Sequence, residues 1–214
     1  GNREKRDRVR KAYLSALNAA HARTGLVRVE FIVGHARLEA GHYQGNLGTR
    51  EQIEEEARLE EESKAFGDIR RIPLPEEYNS LPDKTLQLFA AGVEGSYSFI
   101  VKIDDDQLLH ADKVLDFARK TDPSSLVYGG GMLWEKADYP IQLGPQGAFH
   151  PYFSGHGYLL SLALAKQIVL TNSSRSVGFV GYGSSSEDVD MGWWVAGVQK
   201  NVTFSNVDVM EDLA

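Results

Sequence analysis

The chain has 214 residues, of which 25% are charged and 42% hydrophobic, with a formal net charge of −7. These are ordinary values for a folded globular protein, and the acid excess argues against nucleic acid or an anionic membrane as the main partner. With no cysteine, disulfides, thiol catalysis and zinc–thiolate sites are excluded as well.

From the N-terminus, "RDRVRKAYLSALNAAH" places Val9, Ala12, Tyr13, Ala16, Leu17 and Ala20 at helical spacing, so residues 6–21 are predicted as an amphipathic helix. The start lacks an apolar core of the kind a signal peptide needs, and no run approaches the roughly 18 apolar residues of a membrane span. No membrane contact is therefore expected of this segment. "LVRVEFIVG" is predicted as a strand over 26–34, and the glycine-rich residues 34–48 as a loop. "REQIEEEARLEEESKAF" (50–66) reads as a charged helix with Ile53, Ala57 and Phe66 as its contacts. "DIRRIPL" is a strand, and "DKTLQLFAAGV" a helix with Asp83 at its N-cap and Leu86, Ala90 and Val93 facing inward. Then come strand "SYSFIVKI", helix "HADKVLDFARK", strand "SSLVYGGG", the strand-to-helix run "GYLLSLALAKQIVL", helix "EDVDMGWWVAGV" and strand "VTFSN". Strands alternating with helices predict an α/β sandwich around a mostly parallel sheet, as a single domain over residues 1–214. Asn172-Ser-Ser and Asn201-Val-Thr are glycosylation sequons, a pattern that also arises often by chance.

Four constellations bear chemistry. Asp104, Asp105 and Asp106 close an apolar strand, at the carboxyl end where such sheets bind ligands. A turn of carboxylates suits Mg²⁺ or Mn²⁺, and equally reads as a solvated acidic turn. "PYFSGHGYLLS" (151–161) has Gly155 and Gly157, where backbone approaches a ligand or makes a tight turn, and between them His156, a ligand or a polar surface residue. Glu187, Asp188 and Asp190 open a helix, where acids complement the dipole or one serves as general base. Arg6 and Arg10 share a helical face, either solvated or able to grip a diphosphate.

In this order the pieces resemble glycosyltransferase family 31, the β-1,3-galactosyltransferase, N-acetylglucosaminyltransferase and Fringe-like enzymes. "RVRKAY" resembles an Ile-Arg-x-Thr-Trp segment, "EESKAFGDI" a Glu-x-x-x-Tyr-Gly-Asp-Ile segment and "YNSLPDKT" a Tyr-x-Asn-Leu-Thr-x-Lys-Thr segment. "KIDDDQLL" matches Lys-x-Asp-x-Asp, "PYFSGHGYLLS" a Pro-Tyr-x-x-Gly-x-Gly-Tyr-x-x-Ser segment and "EDVDMG" Glu-Asp-Val-x-x-Gly.

The resemblance implies a GT-A fold and a metal-dependent, inverting transfer of galactose or an N-acetylhexosamine. The partners would be a UDP-sugar donor and a glycan or glycoprotein acceptor, joined by a β-1,3 linkage in the Golgi lumen. It implies Mn²⁺ or Mg²⁺ on Asp106 with Asp104, Asp188 as catalytic base, and Arg6, Arg10, Lys84, Asp104, Asp105, Gly155, His156 and Gly157 at the donor. Many members carry a metal-binding His beyond Glu-Asp-Val. The last His here is His156, so that ligand is lost, replaced or beyond Ala214, which keeps a truncated domain among the readings. A divalent-metal phosphoester or pyrophosphate hydrolase and a degenerate glycan-binding domain are the alternatives.

Overall fold

Thr49 and Gly67 bracket the most charged stretch of the chain. In the computed structural model, which describes residues 3–12, 27–35, 49–138, 148–173, 186–198 and 200–212, the Thr49 hydroxyl accepts from the Gln52 N–H. The Gln52 side chain returns to the Thr49 N–H at 2.7 Å, closing a capping box. Gly67 ends the helix in the left-handed conformation (φ 65°), its N–H on the Ser63 carbonyl. Helix α2 (Arg50–Phe66) thus has the predicted bounds. Its buried face differs, because Ile53, Ala57 and Phe66 are exposed and Leu59 and Glu62 are buried.

The chain divides into two compact units, Gly1–Lys84 and Thr85–Ala214. In the first, residues 3–12 form helix α1; the rest of the predicted 6–21 helix and loop residues 36–48 lie outside the described residues. Strand β1 (Phe31–His35) pairs in parallel with β2 (Ile69–Pro75), Phe31 opposite Ile69, with an irregularity between Val33 and His35. The strand is shorter than its apolar pattern, which began at Leu26. A 3-10 turn (Tyr78–Ser80) leads into α3 (Leu81–Glu94), which runs across the unit boundary. Asp83 sits in the first turn of α3 and not at its N-cap.

In the second unit, α3 turns Phe89 fully inward, flanked by Leu86 and Val93; Ala90 is only half-buried. A four-stranded sheet has the order β3 (Phe99–Ile103), β8 (Gly157–Ser161), β5 (Val127–Gly130), β9 (Thr203–Asn206). Strand β8 pairs antiparallel with both β3 and β5, while β9 is parallel to β5. Three of the four strands therefore share one direction and β8 opposes them. All five residues of β8 are buried, as a strand covered on both faces must be. Alternation sorts its side chains. Tyr158 and Leu160 join Tyr128, Phe153, helix α5 (Leu162–Ser173) and helix α6 (Glu187–Gly197) in one cluster. Leu159 joins Val114 of helix α4 (Ala111–Lys120), Val207 and Val209 in another. The result within this unit is an α/β/α layering.

A Cβ on Gly130 would lie 2.6 Å from the Phe153 ring, so the glycine that ends β5 makes room for that side chain. Two ladders absent from the sequence reading complete the unit: β4 (Gln107–Leu109) with β10 (Met210–Asp212), and β6 (Leu133–Trp134) with β7 (Tyr152–Phe153), both antiparallel. Of the sequons, Asn172 is buried with its amide on the Ile168 carbonyl at 2.8 Å, whereas Asn201 is exposed. No helix among the described residues is long and apolar enough to cross a membrane.

Candidate functional site

Strand β3 delivers its acids to a turn. The Asp104 N–H donates to the His156 carbonyl (3.1 Å), and the Gln107 N–H to the Asp104 carbonyl (3.2 Å), closing residues 104–107. Asp105 and Asp106 point to solvent, and the Asp104 side chain is 42% exposed.

Two residues before Asp104, on the same face of the strand, stands Lys102. Its side chain is only 11% exposed and its ammonium has three acceptors. It donates to Asp104 Oδ1 at 2.6 Å and to the Gly155 carbonyl, and it lies 3.3 Å from Glu187 Oε2. Glu187, 7% exposed, accepts from the Tyr158 hydroxyl through its other oxygen. Burial pushes the Glu187 carboxyl up from its ordinary value, and Asp188 and Asp104 add to this, against the pull of Lys102 and Tyr158. For Lys102, burial would lower the pKa, but Glu187 and Asp104 outweigh it and the ammonium is held. Burial likewise raises the Tyr158 and Tyr128 phenols well above their usual range, so both stay protonated; the Tyr158 hydroxyl donates to Glu187, and the Tyr128 hydroxyl accepts from the Phe153 N–H at 3.0 Å.

Gly155 is the joint. Its carbonyl takes Lys102, and its N–H donates to Asp188 Oδ2 at 3.0 Å. A Cβ there would meet Glu187 and Asp188 at 3.4–3.5 Å, ordinary contact. Asp188 Oδ1 accepts from the Ser186 hydroxyl and from the Val189 N–H (2.9 Å). Three donors thus orient a half-buried carboxylate that still reaches solvent. His156 turns its ring to the Ser154 hydroxyl (2.8 Å) and is exposed, contributing its carbonyl to the acidic turn. Gly157 is buried under Met210.

Asp104, Gly155, His156, Gly157 and Asp188 therefore meet in the second unit, with Asp105 and Asp106 on the same turn. Arg6, Arg10 and Lys84 belong to the first unit. Arg6 holds Glu62 through Nε (2.8 Å) and Nη2 (2.7 Å). Arg10 holds Asp68 through Nε and Nη2 (both 2.8 Å), Glu62 at 2.7 Å and Asp7 at 2.8 Å, its guanidinium 4.0 Å from the Phe66 ring centre. Both arginines are buried, so neither makes a solvated basic face. Lys84 holds Glu76 at 2.5 Å, and Glu76 also accepts from the Gly34 N–H at 2.6 Å.

No group of three or more His, Asp or Glu side chains among the described residues is gathered to hold a metal. The turn itself offers oxygen donors only, at an exposed position. That donor set fits a hard divalent ion that keeps water and phosphate oxygens in its shell. Asp104 Oδ1 faces Lys102, leaving Asp104 Oδ2 and Asp106 to face such an ion.

Sequence reasoning quoted Lys102 and Tyr158 within motifs without giving either a role, and left Glu187 as a helix-start acid or a general base. A signal existed for the first: a lysine within an apolar strand needs a buried acid partner, because an unpaired buried charge is too costly. Glu187 was masked by the ordinary preference of acids for a helix start.

The family model described as Galactosyltransferase matches residues 4–202. Among curated proteins, hydroxyproline O-galactosyltransferase GALT2 of Arabidopsis thaliana is 30% identical over 159 residues, covering 70% of this chain and 22% of that protein. Human UDP-GalNAc:beta-1,3-N-acetylgalactosaminyltransferase 2 is 28% identical over 157 residues, 68% of this chain and 29% of that protein. Beta-1,3-galactosyltransferase GALT1 of Arabidopsis thaliana is 27% identical over 153 residues, 65% and 23% respectively. The aligned part of the chain thus spans less than a third of the length of each of these relatives. With a family model covering most of its length, the chain belongs to the galactosyltransferase family, glycosyltransferase family 31.

Proposed function

We propose that the chain binds a UDP-sugar with a divalent ion and transfers galactose or an N-acetylhexosamine to a glycan hydroxyl, inverting the anomeric centre and forming a β-1,3 linkage. The names of the relatives support the sugar, and that of the human relative supports the nucleotide. The observation that carries the reading is Gly155, bonded on one side to the lysine of the acidic turn and on the other to Asp188. The turn that would hold the cation of the leaving group and the base must lie together for a single displacement, and this residue joins them.

Mn²⁺ or Mg²⁺ held by Asp106 and Asp104 would supply Lewis-acid neutralisation of the leaving diphosphate. Asp105 and the Gly155–Gly157 backbone would lie beside the donor. Asp188, its carboxylate fixed by Gly155, Ser186 and Val189, accepts the proton of the acceptor hydroxyl. The hydroxyl oxygen forms the new glycosidic bond as the bond from sugar to diphosphate breaks, and UDP leaves with that electron pair. No covalent nucleophile is needed. The reading carries with it a location in the Golgi lumen, where this chemistry has its substrates.

The test is a screen of UDP-galactose, UDP-N-acetylgalactosamine and UDP-N-acetylglucosamine with Mn²⁺, measuring UDP release and product linkage. Acceptor-dependent release is expected, together with its loss in Asp106→Ala. Release equal with and without every acceptor would mark a hydrolase, and no release above blank would remove the enzymatic reading.

A further inference from the structure

The Lys102 side chain touches all three segments of the candidate site. Its three N–H donors face one acceptor from the turn after β3 (Asp104 Oδ1), one from the β7–β8 connection (the Gly155 carbonyl) and one from the start of α6 (Glu187 Oε2). An ammonium has three donors, so this set is complete. Glu187 is in turn tied to the interior by Tyr158, whose ring is fully buried between those of Phe89 and Tyr128. The chain of contacts runs from a rigid aromatic core through Glu187 and Lys102 to the two backbone segments that carry Asp104 and hold Asp188.

We propose that Lys102, anchored by Glu187 and Tyr158, is a positioning residue that fixes the spacing between the acidic turn and Asp188. The inference rests on the reading of those carboxylates as donor-holding and catalytic groups, and it goes beyond that reading in assigning what holds them in register. Geometry distinguishes this role from charge balance alone. Balancing Glu187 would need one contact, yet Lys102 also takes the neutral Gly155 carbonyl, and Gly155 has its N–H on Asp188. A displacement of the order of 1 Å at such a joint is enough to cost about 100-fold in rate.

Removal of both charges separates the two roles. Lys102→Met leaves Glu187 buried without its cation and is expected to lower the melting temperature. Lys102→Met with Glu187→Gln removes the unpaired charge and is expected to recover most of that loss. In the folded double variant, kcat is expected to stay down by about 100-fold, with the donor KM within about threefold of the wild type. The Gly155 amide, read by hydrogen exchange in NMR, is expected to lose protection by about tenfold or more. Recovery of kcat along with melting temperature would overturn the proposal, as would a Gly155 amide that exchanges as in the wild type. Should the wild-type chain transfer no sugar, the proposed function alone fails, and the Gly155 amide still decides the positioning role.

Discussion

Two buried ion networks, one in each unit, both pair basic side chains with carboxylates, and they differ in composition and openness. In the first unit Arg6 and Arg10 face Glu62, Asp68 and Asp7, and all three nitrogens of the Arg10 guanidinium have carboxylate partners. In the second, one ammonium, Lys102, faces Glu187 and Asp104, with Asp188 a residue away and Asp105 and Asp106 open to solvent. The first is closed and close to charge balance. The second has surplus negative charge on its exposed side, which is where a cation and an anionic ligand would enter. The difference lies in the cation (forked guanidinia against one ammonium), in the ratio of cations to carboxylates and in exposure.

The largest effect expected is on the open network. Asp188→Asn keeps the shape of the side chain and should lower kcat by about 10³-fold, within the usual contribution of a general base, while leaving the melting temperature within a few degrees. A loss of stability in step with activity would erase the contrast between the networks. In the closed network, Glu62→Ala strands two buried guanidinia and should destabilise the first unit by about 3–5 kcal/mol in urea unfolding.

The pH dependence of stability sharpens the contrast. Hydrogen bonds from Arg6 hold the Glu62 carboxyl down, against the cost of burial and with help from Arg10, from 4.5 to about 2. A depressed carboxylate stabilises the fold at pH above its unfolded value and loses that contribution as pH falls through its folded value. About 3 kcal/mol should therefore disappear between roughly pH 5 and pH 2. Glu62→Gln should lack this share of the acid sensitivity, and an unchanged acid profile would contradict the assignment. Smallest of all is Gly155→Ala, whose added methyl meets its neighbours only at ordinary contact distances. A change in stability below about 1 kcal/mol is expected, measured by thermal unfolding beside Gly130→Ala. The latter must displace Phe153 and should cost about 1–3 kcal/mol.

How much was legible in the sequence follows from how local each signal is. Helix α2 could be bounded to the residue because Thr49 and Gly67 act on their own neighbours. The inward face of α3 was half right, since periodicity marks a stripe but packing chooses Phe89 over Ala90 as its centre. Strands β4, β6, β7 and β10 are two or three residues long, too short to display a period of two. The opposed direction of β8 was hidden as well. It is entered through the turn at Ser154–Gly157 rather than through a helix, and only the register shows that.

For the candidate site, the motifs named Asp104, Gly155 and Asp188, which lie together. They contain Lys102 and Glu187 too, but do not show that the two meet, because they lie far apart in the chain and only the fold pairs them. Arg6 and Arg10 show the same limit. Helical spacing put them on one face, but Glu62 and Asp68, more than fifty residues on, decide what that face meets.

The most direct measurement is a calorimetric titration of UDP into the wild-type chain and Asp106→Ala, each with Mn²⁺ and with chelator. Binding that appears in the wild type only with Mn²⁺, and is absent from Asp106→Ala in both conditions, is the predicted result. Equal UDP binding with chelator, or undiminished binding by Asp106→Ala, would contradict the assignment of the acidic turn.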